Sequence, residues 1–251
     1  MNRLFTILIM SLAPIILFGQ KGKKQDYLIK SIQNVAIDAN LNEWDNLLFQ
    51  EESPVWSFSL AQNNDTIFAA VVVRDKGLIA EAINQGIFVN ISNSDKKKDG
   101  ARLLYPTLSQ ELLSRFVEDE FADRNFSNEQ LLNSTRGYLV FGFSRIINSF
   151  LSFDNTYGIR AVAKMNEKGE LIYESAIPLS LVKIEKEEFA VQVGVNTRFA
   201  QVQKSMKTTP NRPSYGGYGM YGRMTPVRQM PKNPYSEPTE VWFKGKRINN
   251  K

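Results

Sequence analysis

The stretch "VAIDANLNEWDNL", Val35 to Leu47, is the part of the chain most informative about its fold. Val35-Ala36-Ile37 reads as the end of a strand that begins near Tyr27. Asp38 and Asn40 carry short side chains that bond their own backbone in turns. Leu41 and Trp44 are three apart, so a single helical turn sets both on one face. The expectation is a strand, a polar turn and an aromatic plug closing the end of a β-sandwich.

Working outward, the chain holds more strand-like runs. "VWSFSLAQ" (Val55 to Gln62) precedes the turn "NND", and "TIFAAVVVRD" (Thr66 to Asp75) follows it. The latter is continuously apolar, as in a strand covered on both faces. "GIFVNIS" (Gly86 to Ser92), "YLVFGFSRI" (Tyr138 to Ile146), "YGIRAVAKM" (Tyr157 to Met165) and "LIYESAIP" (Leu171 to Pro178) add four more. "FAVQVGVNTRF" (Phe189 to Phe199) alternates with period two, placing Phe189, Val191, Val193 and Val195 on one face. "TEVWFKG" (Thr239 to Gly245) is the last. About nine strands with little helix predict an all-β fold, an antiparallel β-sandwich.

Two segments break the pattern. Residues 106–134 are expected to form a small helical insertion. In it, Leu112, Leu113, Phe116 and Val117 fall at helical spacing, and Ser127 is placed to cap a second turn. Residues 205–238 are rich in Gly, Pro, Tyr, Met and Arg, a composition that resists regular structure. This low-complexity loop is either solvated and mobile or a contact surface, for which Tyr and Arg are suited.

The 251-residue chain contains no cysteine and no histidine. Disulfides, lipid-acylated cysteine and Cys/His zinc sites are thereby excluded, as are the common catalytic triads. At the N-terminus, Arg3 precedes an uncharged run from Leu4 to Gly19, followed by Lys21, Lys23 and Lys24. This pattern predicts a signal peptide over 1–19, with 20–251 as one mature domain. The apolar run is shorter than the roughly 20 residues that span a bilayer, so no transmembrane segment is expected after cleavage. The expected location is exported, periplasmic or extracellular. Residues 20–200 carry a net charge of −4 and residues 201–251 a net of +8, so the pI near 9.2 belongs to the C-terminal fifth. Nucleic acid is not an expected partner of such a body.

The opening stretch resembles the start of the family 9 carbohydrate-binding module, whose first strand ends in a pattern like I-D-G-x-L-x-E-W. Ile37, Asp38, Leu41, Glu43 and Trp44 match it in spacing, and Ala39 stands where Gly is usual. "TIFAAVVVRD", ending at Asp75, and "YESAIP", with Glu174 and Pro178, resemble later strands of that family in the same order. Gly86, Asn90 and Ser92 replace acidic residues of another strand. Segments like Gly86 to Ser92, Lys96 to Lys98 and Tyr105-Pro106 are also similar to those of exported Bacteroidota-type proteins. The resemblance implies a β-sandwich and admits sugar binding. Asp38, Glu43, Trp44, Asp75, Glu174 and Pro178 are expected to be structural, with calcium at Asp38 and Glu43 the less favoured reading.

The expected role is therefore a non-catalytic binding protein of the cell envelope, recognising carbohydrate. Trp56 and Trp242 are the candidate ligand-binding residues, each either stacking on a sugar or packing in the core. The alternative is an envelope protein that docks a protein partner through 205–238. Catalysis is not expected, because glycoside hydrolysis needs two carboxylates at a set separation and nothing in the sequence pairs two. No cofactor is expected. Some relatives of the fold hold haem without His, but Lys164 and Met165 are adjacent on a strand and point to opposite faces.

Overall fold

A computed structural model describes residues 27–33, 35–108, 126–208 and 231–246. In chain order its elements are β1 (Tyr27–Leu28), β2 (Lys30–Ser31), β3 (Trp56–Gln62), β4 (Thr66–Val73), α1 (Lys76–Gln85), β5 (Ile87–Ile91), β6 (Ala101–Tyr105), α2 (Asn128–Asn133), β7 (Gly137–Phe141), β8 (Ser149–Ser152), β9 (Arg160–Met165), β10 (Leu171–Pro178), β11 (Glu188–Val195), α3 (Arg198–Thr208) and β12 (Glu240–Lys246). The strands form two sheets, a seven-stranded one ordered β1-β12-β11-β5-β6-β7-β8 and a five-stranded one ordered β2-β3-β4-β10-β9. All pairings are antiparallel except β1 on β12 and β2 on β3. The fold is an all-β sandwich, with twelve strands among the described residues rather than nine.

The core lies between the sheets and is built by alternation. Ile67, Ala69, Val71 and Val73 of β4 face Val191, Val193 and Val195 of β11 and their neighbours. The other face of β4, with Phe68 and Ala70, is covered by a second cluster containing Trp44. Burial on both faces is why the β4 run shows no polar alternation. β11 is buried from Phe189 to Val195, so its second face is covered as well despite its period-two alternation.

The N-terminal expectation is corrected in two respects. Tyr27 to Ile37 is not one strand: β1 and β2 are two residues each, and Val35–Ile37 lies outside any strand. β1 joins the edge of one sheet and β2 the edge of the other, so this short strap ties the sheets together. Rings of Tyr27, Phe49, Phe58 and Phe243 hold it, with Tyr27 centred 4.9 Å from Phe49 and 5.2 Å from Phe58. Trp44, on a 3-10 turn over Leu41–Trp44, does not plug the sandwich end. It packs on the outer face of the five-stranded sheet, with Val35, Ile37 and Leu41 laid across Ala61, Phe68, Ala70 and Ala176.

Other elements differ from the sequence reading. α1 was not anticipated. Its Leu78, Ile79, Ala82 and Ile83 are buried at helical spacing, and Gly86 stops it at φ 88°. A Cβ at Gly86 would meet Leu104 Cδ1 at 2.7 Å, so the residue is a helix stop and β5 begins after it. β6 and β8 are also additional strands. β7 ends at Phe141, short of Ile146, and β9 starts at Arg160 rather than Tyr157. Arg198–Thr208 is helical, which removes Arg198–Phe199 from β11 and Ser205–Thr208 from the low-complexity loop. The α2 cap at Ser127 forms a full capping box with Gln130. The signal segment, residues 109–125 of the expected helical insertion, and residues 209–230 lie outside the described residues.

Candidate functional site

Asp38, Ala39 and Trp44 of the opening stretch close around one buried carboxylate. Glu174 lies on the outward face of β10, since Tyr173 and Ile177 point into the core. Its Oε1 accepts the Trp44 indole N–H at 2.7 Å. Its Oε2 accepts the backbone N–H groups of Asp38 and Ala39 at 3.1 and 2.7 Å. Burial pushes the Glu174 carboxyl above its ordinary range, and the three donors oppose that shift. Ala39 has φ 64°, the left-handed region that favours glycine. This cluster is a latch fastening the 35–47 segment to the sheet.

The remaining motif residues have local partners. Asp38 accepts from Asn40 N at 2.8 Å and is exposed, as is Glu43. Asp75 caps α1, its Oδ1 accepting from Leu78 N at 2.9 Å. Pro178 ends β10 and leads into a 3-10 turn. Among the described residues no group of three or more acidic side chains is arranged to hold a metal ion. Lys164 reaches out to the Asp38 carbonyl at 2.9 Å, while Met165 packs on the core.

The two candidate tryptophans have different fates. Trp56 is 0% exposed, and its indole N–H donates to the Pro238 carbonyl at 2.9 Å. It has no free face, so the ligand-binding reading of Trp56 is replaced by a core role. Trp242 is half-buried and faces outward from β12, because its neighbours Val241 and Phe243 point to the core.

The strand registers extend that face. Trp242 pairs with Gln192, Gln192 with Asn90, Asn90 with Arg102, and Arg102 with Phe141. Opposed residues of antiparallel strands share a face. One row of side chains thus crosses five strands on the outside of the seven-stranded sheet. α3 lies over it, with its Lys204 ammonium 5.7 Å from the Phe88 ring and 3.6 Å from Glu240. Asn90 anchors the lysine-rich loop above the sheet, donating to the Lys98 carbonyl and accepting from Gly100 N at 2.8 Å.

Two cavities adjoin this row. One, of about 550 Å³, is lined by Trp242, Glu240, Phe199, Gln203 and Asn233. The other, of about 500 Å³, is lined by Arg102, Asp99, Asn90, Phe141, Asn196 and Gln201. The Arg102 guanidinium stacks on Phe88 with its carbon 4.1 Å from the ring centre. Its Nε–H is buried without an acceptor. Burial pulls this group below its ordinary pKa, against the charges of Asp99 and Glu240. Sequence reading found Trp242 but not Arg102. Alternation in "ARLLY" marks a strand, yet only the register brings Arg102 into the row.

Residues 231–238, the end of the low-complexity segment, dock on the body. Tyr235 donates to Glu81 at 3.3 Å, and Glu237 accepts from Ser53 Oγ at 2.9 Å.

No protein-family description matches this chain, and no curated protein matches it. Among solved structures it is similar to a family 9 carbohydrate-binding module from Caldicellulosiruptor kristjanssonii in complex with glucose. The identity is 12%, the TM-score is 0.34, and the match covers 68% of this chain and 78% of that one.

Proposed function

We propose that this chain is an exported, non-catalytic binding module of the cell envelope that recognises carbohydrate around Trp242. The observation that carries the reading is a half-buried indole on a paired strand, lining a cavity of about 550 Å³ beside Glu240, Gln203 and Asn233. A sugar ring presents an apolar C–H face to an aromatic platform and hydroxyls to acids and amides. Ligand pockets combine apolar walls with a few oriented polar groups in the same way. A strand-borne indole is also held in place before the ligand arrives, which limits the ordering cost of binding.

The test is tryptophan fluorescence and calorimetry on residues 20–251 with a panel of neutral and acidic oligosaccharides. Trp44 and Trp56 are 1% and 0% exposed, so a ligand-induced spectral change reports Trp242. Saturable binding that Trp242→Ala abolishes supports the reading. A flat response across the panel would reject it and leave the protein-docking role as the better description.

A further inference from the structure

We infer that the Arg102 cavity is a carboxylate-binding subsite that selects acidic sugars, those carrying a uronic acid, over neutral ones. The inference rests on the carbohydrate reading above and names its ligand class. Two partly buried arginines show the contrast that motivates it. Arg74 is satisfied: its Nε–H donates to Glu170 at 3.0 Å, and its Nη1 to Ser53 O and Ser57 Oγ at 2.9 and 2.6 Å. Arg102 makes no hydrogen bond or ion pair among the described residues, and its buried Nε–H lacks an acceptor. Its guanidinium lies over the Phe88 ring, 4.1 Å from the ring centre. A buried donor without a partner is costly, and a carboxylate would satisfy it bidentately.

The lining specifies more than an anion. Asp99 shares the cavity with Arg102, and Asn90, Asn196 and Gln201 complete its polar wall. Asp99 repels any anion placed on Arg102, and a ligand whose hydroxyls donate to Asp99 offsets that cost where a plain anion has none to offer. A uronic acid carries both groups, a carboxylate for Arg102 and hydroxyls for Asp99. Phe141, 41% exposed at the cavity edge, offers an apolar surface to the ring. Asn90 is already bonded to the Lys98 carbonyl and Gly100 N, so the wall beside Arg102 is preorganised.

The experiment compares calorimetric affinities of residues 20–251 for galacturonate oligomers and for galactose oligomers of equal length. Sulfate and acetate serve as anion controls. Arg102→Gln, Arg102→Lys and Trp242→Ala are measured beside the wild type, with circular dichroism to confirm folding. The expected result is at least tenfold tighter binding of the acidic oligomer, weakened by added salt. Arg102→Gln should erase that preference by bringing the affinity for the acidic oligomer down to that for the neutral one, and Arg102→Lys should fall between. Equal affinity for both oligomers, with Arg102→Gln silent, overturns the inference and leaves the Trp242 reading standing. Displacement of the oligomer by equimolar sulfate or acetate also overturns it, because a plain anion would then suffice. Absence of binding by either oligomer overturns both readings.

Discussion

The indole N–H of Trp44 donates to Oε1 of Glu174 across 2.7 Å, joining residues 130 positions apart. The bond fastens the opening stretch to the outer face of β10, and two backbone N–H groups complete the grip. Glu174→Ala would orphan three donors at a buried site. We expect a loss of about 3 kcal/mol, seen as a fall of roughly 6–12 °C in thermal midpoint for a chain of this size. Trp44→Phe removes one donor and part of the ring, with an expected loss of about 2 kcal/mol. A midpoint unchanged in both variants would mean the latch is not formed in solution.

Ala39 holds φ 64° while donating its N–H to Glu174. An L-residue bears a cost of about 1–2 kcal/mol in that region, and part of this is offset by the greater freedom glycine brings to the unfolded chain. Ala39→Gly should therefore raise stability by about 0.5–1 kcal/mol. Chemical denaturation at constant m-value would measure it, and a destabilised variant would contradict the left-handed assignment.

Trp56 and Trp242 should separate stability from binding. Trp56 is enclosed, and Trp56→Phe loses its hydrogen bond to Pro238 along with core volume. The expected loss is about 2–3 kcal/mol of stability, with sugar affinity kept at temperatures where the protein stays folded. Trp242→Ala should do the reverse, lowering sugar affinity at least tenfold while shifting stability by about 1 kcal/mol or less. A swap of these outcomes would move the binding site away from the outer face.

Alkaline pH should destabilise the fold. Burial raises the phenols of Tyr27, Tyr105, Tyr138, Tyr173 and Tyr235, with Tyr235 pushed up to about 12. The native protein therefore keeps protons that the unfolded chain releases near pH 10. Their stabilising contribution is complete below about pH 10 and declines as pH rises from there toward the native values. The thermal midpoint should fall stepwise over about pH 10–12, less steeply in Tyr235→Phe. A flat midpoint across that window would contradict it.

The sandwich was legible where burial leaves a simple pattern. β4, β10 and β11 are long and apolar, and each lies inside a sheet. β8 was not legible because it is an edge strand with Leu151 as its one buried side chain. Its place is set by pairing with β7 rather than by its own composition. α1 had a readable signal, Asp75 three residues before Leu78 and an apolar stripe after it, but it follows directly on a strand with the same apolar character. Val35 to Ile37 reads as strand because its side chains alternate. Alternation gives a chain two faces without saying whether it pairs in a sheet or lies across one. The candidate site divides similarly. Trp242 can be read from its own strand, whereas Arg102 becomes meaningful when four registers align it with Asn90 and Phe141.

Among the described residues the strap at Tyr27–Ser31 pairs with Phe243–Lys244 of β12 and Ala61–Gln62 of β3, one margin of each sheet, and β8 and β9 are the margins on the far side. In polymer terms the strap acts as a partial cap among the described residues: coupling on its side is hindered, and coupling through the far side alone ends at a pair. Removing the strap would uncover β12 and β3 together and make the molecule bifunctional. Each unit added at one side would then leave a reactive side behind, and growth would have no terminating step. The five residues Tyr27 to Ser31 thus bias this sandwich toward an end group rather than a repeating unit.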